Sequence, residues 1–107
     1  MPGEQDGVRV VTMPAELDLA SAAQVRAALM QALDGAKVLV ADMAATSWCT
    51  LEGLQVLLHA RAAAARAGAQ LRLAGASPAI RRVLERTGTG QLLRLYPSLE
   101  EARSDPA

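Results

Sequence analysis

Residues 48 to 58 read Trp48-Cys49-Thr50-Leu51-Glu52-Gly53-Leu54-Gln55-Val56-Leu57-Leu58, and within this run the chain passes from a strand pattern to a helix pattern. Upstream, Lys37-Val38-Leu39-Val40-Ala41-Asp42-Met43 is a short apolar run headed by a charge, which predicts a central parallel strand. Downstream, Leu54, Leu57, Leu58, Ala62 and Ala65 recur at helical spacing, so one stripe of the following helix faces the core. Thr50 stands at the junction as the predicted N-cap, with a hydroxyl able to accept a hydrogen bond from an unpaired amide of the first turn. Glu52 follows in that turn, where the helix dipole favours a carboxylate. Open α/β sheets gather functional surfaces where strand ends face helix starts, which makes this junction the candidate site.

The rest of the chain extends the same alternation. Val8-Arg9-Val10-Val11-Thr12-Met13, bounded by Gly7 and Pro14, reads as a strand, and Pro14 to Asp18 as a loop or irregular edge. Ser21-Ala22-Ala23-Gln24 has the form of a capping box, and Ala22, Val25, Leu29, Ala32 and Leu33 make the stripe of a helix that stops at Gly35. Gly68 ends the helix that begins near Thr50. Gln70-Leu71-Arg72-Leu73-Ala74 alternates as a strand should. Ser77-Pro78 is an N-cap with proline at the first helical position, Ile80, Val83 and Leu84 form that helix's stripe, and Gly88 closes it. Leu92 to Tyr96 is the predicted last strand, and Ser98-Leu99-Glu100-Glu101 is a second capping box before a short C-terminal helix. Residues 1–7 are expected to be a flexible N-terminus and 104–107 a flexible tail, leaving one domain over 8–103. The order β-α-β-α-β-α-β-α predicts an α/β fold: a mostly parallel sheet of four to five strands, about four helices and right-handed crossovers.

Composition narrows the function. A chain of 107 residues forms one domain and can bury a core. Its 11 basic and 11 acidic residues cancel, so no electrostatic footprint for nucleic acid or an anionic membrane is present. Trp48 and Tyr96 are the only aromatics, which predicts an aliphatic core and no base-stacking platform. A single Cys excludes an internal disulfide, and with a single His it excludes a Cys/His metal cluster. No signal peptide and no apolar run of spanning length is found, so a cytoplasmic location is expected. No cofactor is expected either: Gly88-Thr89-Gly90 lacks the remaining glycine and the preceding strand of a dinucleotide loop.

Over residues 8 to 103 the chain resembles the STAS domain family, and in particular the free-standing bacterial anti-sigma factor antagonists. The resemblance is carried by Glu16-Leu17-Asp18 after the first strand, the strand ending at Asp42, and the helix start Gly53-Leu54-Gln55-Val56-Leu57-Leu58. It continues through Ala67-Gly68-Ala69-Gln70-Leu71-Arg72-Leu73, Ser77-Pro78 with Val83-Leu84, Thr87-Gly88 and Ser98-Leu99-Glu100-Glu101-Ala102. No single piece is specific; their order and spacing together are. The resemblance implies a transcription regulator that is not an enzyme and docks on an anti-sigma factor of the serine-kinase type. It implies a contact surface of Asp18, Thr50, Leu51, Glu52, Gly53 and Leu54. Free-standing members also serve as subunits of lipid-transporting ABC systems, where they grip the ATPase, and this second class needs no phosphoacceptor.

The family turn commonly reads Phe-Ile-Asp-Ser-Ser-Gly-Leu, with the first Ser of the pair phosphorylated by the partner kinase. Aligned on Gly53-Leu54, this chain has Thr50 at the Asp position, Leu51 at the phosphoacceptor and Glu52 at the second Ser. Leu51 cannot carry a phosphate. Either the switch is lost, or Thr50 accepts the phosphoryl group one residue early, where a helix N-terminus would receive it well. Against the second reading, a shift of one position re-aims a helical side chain by about 100 degrees. Glu52 carries two readings, a phosphoserine-like charge or ordinary dipole complementarity.

The remaining reactive side chains read mostly as structural. Cys49 sits where a thiolate would be stabilised, but no Arg accompanies it and Glu52 would repel an anionic substrate, so a buried inert thiol is expected. His59 lies two turns into the helix without an acid or Ser partner nearby in sequence. Asp18 and Asp42 each read as a partner contact or as a structural carboxylate. Arg81, Arg82 and Arg86 cluster on the third helix, where a solvated basic face is the default.

Overall fold

The apolar run around Val40 is the centre of the sheet. The computed structural model describes residues 4–5 and 7–106. Among these the order is β1 (Glu4–Gln5), β2 (Val8–Thr12), β3 (Glu16–Leu17), α1 (Leu19–Leu33), β4 (Val38–Asp42), β5 (Trp48–Cys49), α2 (Leu51–Arg66), β6 (Gln70–Ala74), α3 (Pro78–Thr87), β7 (Arg94–Tyr96) and α4 (Leu99–Ser104). A 3-10 turn, Thr89–Gln91, links α3 to β7. The main sheet runs β1-β2-β4-β6-β7; β1 is antiparallel to β2, and every other pairing in it is parallel. The expected α/β architecture is therefore present, with one antiparallel edge.

Alternation along β4 divides the core in two. Leu39 and Ala41 join Leu71 and Leu73 of β6, packed under helices that contribute Leu29, Leu57 and Leu84. Val38 and Val40 face the other way, with Ala74, Tyr96 and the α4 residues Leu99 and Ala102. That thinner layer holds a fully buried cation, Arg72. Its Nη1 donates to the carbonyls of Ala102 and Asp105, each at 2.7 Å, and its Nη2 to the Pro106 carbonyl at 3.2 Å. Its Nε and Nη2 also reach Gln70 Oε1, and the guanidinium lies 5.2 Å from the centre of the Tyr96 ring. A cation at the C-terminal end of α4 meets carbonyl dipoles pointing at it, which offsets part of the cost of its burial.

Three local features differ from the sequence expectations or sharpen them. First, α1 begins at Leu19, capped by Asp18, and not at Ser21. Ser21 does belong to a capping box, but as its closing residue, the third of the helix: Asp18 Oδ1 accepts from Ser21 N–H at 3.2 Å, and Ser21 Oγ accepts from Asp18 N–H at 3.1 Å. Second, the stretch from Pro14 to Asp18, expected as a loop or irregular edge, contains the short strand β3, which pairs in parallel with β5 as a separate small sheet. Third, the last strand starts at Arg94, because the amides of Leu92 and Leu93 bond back to the Thr89 carbonyl and close the 3-10 turn. The terminal segments also make contacts among the described residues. Glu4–Gln5 pairs with β2 in the expected 1–7 terminus, of which residues 1–3 and 6 lie outside the described residues. In the expected 104–107 tail, Ser104 ends α4 and the next two carbonyls accept from Arg72; residue 107 lies outside the described residues.

Candidate functional site

The β3–β5 pairing fastens two distant stretches of chain side by side. Its register sets Glu16 against Trp48 and Leu17 against Cys49. Hydrogen bonds extend it in both directions: Thr46 Oγ1 to the Pro14 carbonyl at 2.8 Å, Ser47 N–H to the Ala15 carbonyl at 2.8 Å, and Thr50 N–H to the Leu17 carbonyl at 3.0 Å. Leu17 and Cys49 are buried, while Glu16 and Trp48 are exposed, as period-2 alternation requires. One residue beyond the ladder each chain enters a helix, α1 after Asp18 and α2 after Thr50. Two N-caps and two first turns thus share one end of the fold.

Side-chain chemistry at this end is mostly committed to structure. Thr50 Oγ1 accepts the Gly53 amide at 3.3 Å, the predicted cap. Asp18 caps α1, and both cap residues are half-buried. Gly53 and Leu54, predicted on the contact surface, are buried. Gly53 is there because nothing larger fits: a Cβ would lie 2.8 Å from the Leu17 carbonyl carbon and closer still to its oxygen. Leu51, at the first position of α2, is 64 % exposed, and Glu52 beside it is exposed too.

Two further apolar side chains stand open here that the sequence reading did not place on the surface. Trp48 is 60 % exposed and Leu19 is 73 % exposed. Leu19 is the α1 counterpart of Leu51, each being the residue after its cap. Recognising Asp18 as the cap would have exposed that equivalence in the sequence. The outward face of Trp48 follows from the β3–β5 ladder, which sets it opposite the exposed Glu16.

The other candidate groups separate cleanly. The Cys49 thiol is buried, which pushes its pKa up, and it donates to its neighbour Thr50's carbonyl; it is held as a thiol. His59 Nδ1 meets Arg26 Nη2 at 3.3 Å, an exposed tie between α2 and α1. Asp42 Oδ1 accepts the Ala44 amide at 3.1 Å and orders the turn after β4. Among the described residues no group of three or more His, Cys, Asp or Glu side chains is placed to hold a metal ion. No helix among them is long and apolar enough to cross a membrane.

The STAS domain model matches residues 3–102. A sequence search among curated proteins finds no match. Among solved structures, an anti-sigma factor antagonist from Mycobacterium paratuberculosis is 27 % identical with a TM-score of 0.84, covering 94 % of this chain and 86 % of that one. The Bacillus cell fate determinant SpoIIAA in its phosphorylated form is 21 % identical with a TM-score of 0.70, covering 92 % and 90 %. A sulfate transporter family protein from Wolinella succinogenes is 20 % identical with a TM-score of 0.82, covering 92 % and 83 %. The latter two share the fold. With a family model spanning nearly its whole length and the fold common to all three structures, the chain belongs to the STAS domain family.

Proposed function

We propose that this protein is an anti-sigma factor antagonist: a cytoplasmic binding module that docks on an anti-sigma factor of the serine-kinase type through the starts of α1 and α2. The observation that carries this reading is the cluster of exposed apolar side chains at the two helix starts, Leu19, Trp48 and Leu51, beside the half-buried caps Asp18 and Thr50. An exposed Trp at the end of the ladder, flanked by exposed Leu side chains on the two helix starts, is the type of anchor that protein interfaces bury. The Mycobacterium paratuberculosis anti-sigma factor antagonist, at 27 % identity over nearly the whole chain, supports an anti-sigma factor as the class of partner. A binding module also fits the chemistry better than an enzyme does, since the Cys49 thiol is buried and the Thr50 hydroxyl is engaged as a cap.

The grip is constitutive in this proposal. Leu51 stands at the position where the family carries its phosphoacceptor, and it has no hydroxyl. Thr50 has one, but it serves as the cap of α2 on a half-buried residue. The test is calorimetric titration against the serine-kinase-type anti-sigma factors encoded in the same genome, followed by intact-mass measurement after incubation with ATP. Complex formation with an unchanged mass is the expected outcome. Failure to bind any of them, or selective binding to a transporter ATPase, refutes the partner assignment. Added phosphoryl mass on Thr50 with release of the partner refutes the constitutive grip.

A further inference from the structure

The edge strand β7 and helix α3 enclose a second surface, separate from the helix starts. A groove of about 740 Å³ lies between them, with Leu84 and Leu95 among its apolar lining and Arg81, Arg82 and Glu85 of α3 along one side. Leu84 is buried, Leu95 is 37 % exposed, and Leu92, which follows the 3-10 turn, is 49 % exposed. Two arginines, Arg81 and Arg82, and one glutamate, Glu85, thus line the groove beside this apolar strip. None of Arg81, Arg82 and Arg86 is tied into an ion pair among the described residues. A solvated basic face needs no groove; here the basic face borders one.

The backbone of β7 adds a third element. β7 ends the sheet and is paired on one side only, with β6. The Tyr96 carbonyl accepts the Gly75 amide at 3.0 Å, which turns Tyr96, and by alternation Arg94, toward β6. The same alternation turns the N–H and C=O of Leu95 outward, to the open edge beside the groove.

We infer that this groove docks an extended acidic segment of a partner protein, which adds as a short strand beside Leu95 and meets Arg81 and Arg82 with Asp or Glu side chains. An extended peptide alone satisfies all three elements at once: a free donor and acceptor on a strand edge, an apolar floor, and arginines along the wall. A second copy of this chain fits worse, because it would bring its own Arg81 and Arg82, not acidic side chains, toward the same edge. A nucleic acid also fits worse, since the groove is lined without an aromatic ring and carries Glu85. The surface is independent of the proposed anti-sigma contact, so the two succeed or fail separately.

The probe is a fluorescein-labelled decapeptide alternating glutamate and valine, followed by anisotropy. It is compared with a lysine–valine decapeptide, a ten-nucleotide oligouridylate, and the same acidic peptide N-methylated at alternate residues. The acidic peptide is expected to bind, and the lysine peptide and the RNA are not. Reversing both arginines (R81E with R82E) and N-methylating the peptide are each expected to weaken binding by about tenfold or more. Both arginines are exposed, so the variant keeps its fold, and circular dichroism verifies this. The proposal is overturned if the acidic peptide does not bind, if the RNA binds as tightly, or if the methylated peptide or the reversed variant binds unchanged.

Discussion

Gly53 lies against the Leu17 carbonyl so closely that a methyl group at position 53 would meet the carbonyl carbon at 2.8 Å. This contact packs the first turn of α2 onto β3, and Thr50 N–H bonds to the same carbonyl at 3.0 Å. The obstacle is backbone, which cannot rotate away as a side chain tip would. Gly53→Ala is therefore expected to destabilise the domain by about 2 to 3 kcal/mol, the upper part of the usual range for overpacking. Urea denaturation measures it, as a lower midpoint with an unchanged slope. A loss under 0.5 kcal/mol, roughly the scatter of neutral surface changes, would show that β3 can retreat.

Thr50 holds the same junction from the helix side. Removing its hydroxyl in Thr50→Ala leaves the Gly53 amide without its side-chain acceptor. The expected cost is about 1 kcal/mol, with Thr50→Ser close to wild type. If Thr50→Ala and wild type unfold at the same denaturant concentration, the hydroxyl is free for other chemistry, and the case for a displaced phosphoacceptor strengthens.

What the sequence disclosed was the information carried by neighbours in the chain. The caps at Thr50, Ser77 and Ser98 each accept an amide three residues on, so the signal and its partner lie within one turn. The five-residue strands β2, β4 and β6 show apolar or alternating runs long enough to read. The β3–β5 ladder was not legible, because two strands of two residues, about thirty positions apart, carry no period of their own. Ser21 misled for a related reason: its box form is genuine, but the sequence does not say whether it opens the box or completes one begun by Asp18. Arg72 reads as the polar position of an alternating strand. Its burial follows from α4 folding back over that face, a contact thirty residues away.

Arg72 tethers α4 to the sheet. Replacing it with alanine removes the donors to the Ala102, Asp105 and Pro106 carbonyls and opens space beneath Tyr96. Arg72→Ala is expected to cost about 3 kcal/mol, from lost packing and unsatisfied buried acceptors together. Hydrogen exchange localises the effect: the amides of α4 should exchange faster than those of α2. Uniform acceleration across both helices would show that Arg72 supports the whole core and not α4 in particular.

Alkaline pH probes this corner through Tyr96 and the β3–β5 ladder through Cys49. The hydrogen bond from Tyr96 to Asp105, aided by desolvation, raises the phenol pKa above its ordinary 10.0, and burial raises the Cys49 thiol above 9.0. In both cases the folded state holds its proton more tightly than the unfolded state. Their stabilising contribution is complete below the unfolded pKa and is lost as pH rises through the folded one. Thermal midpoints should therefore fall from about pH 9 upward, first through Cys49 and then through Tyr96. Cys49→Ala should flatten the earlier part of the decline and Tyr96→Phe the later part. A decline identical in both variants would assign it to other groups.

Leu51 and Trp48 carry the binding proposal most directly. Each is mostly exposed, at 64 % and 60 %, so truncation removes little that the isolated fold depends on. At an interface the balance reverses, because an anchor buried by a partner commonly loses about 1 to 2 kcal/mol or more on truncation to alanine. Leu51→Ala and Trp48→Ala should each weaken the anti-sigma complex by that amount, roughly five- to thirty-fold, while their urea midpoints stay at the wild-type value. The Trp48 change should be the larger, since its ring offers more area at a lower entropic cost. Leu51→Ser goes further, placing a hydroxyl at the position that the proposed alignment with the family turn assigns to the phosphoacceptor. With a kinase-type partner and ATP, this variant should gain one phosphoryl group and release its partner, whereas wild type does neither. Phosphorylation of Leu51→Ser without release would mean that the contact no longer passes through the start of α2.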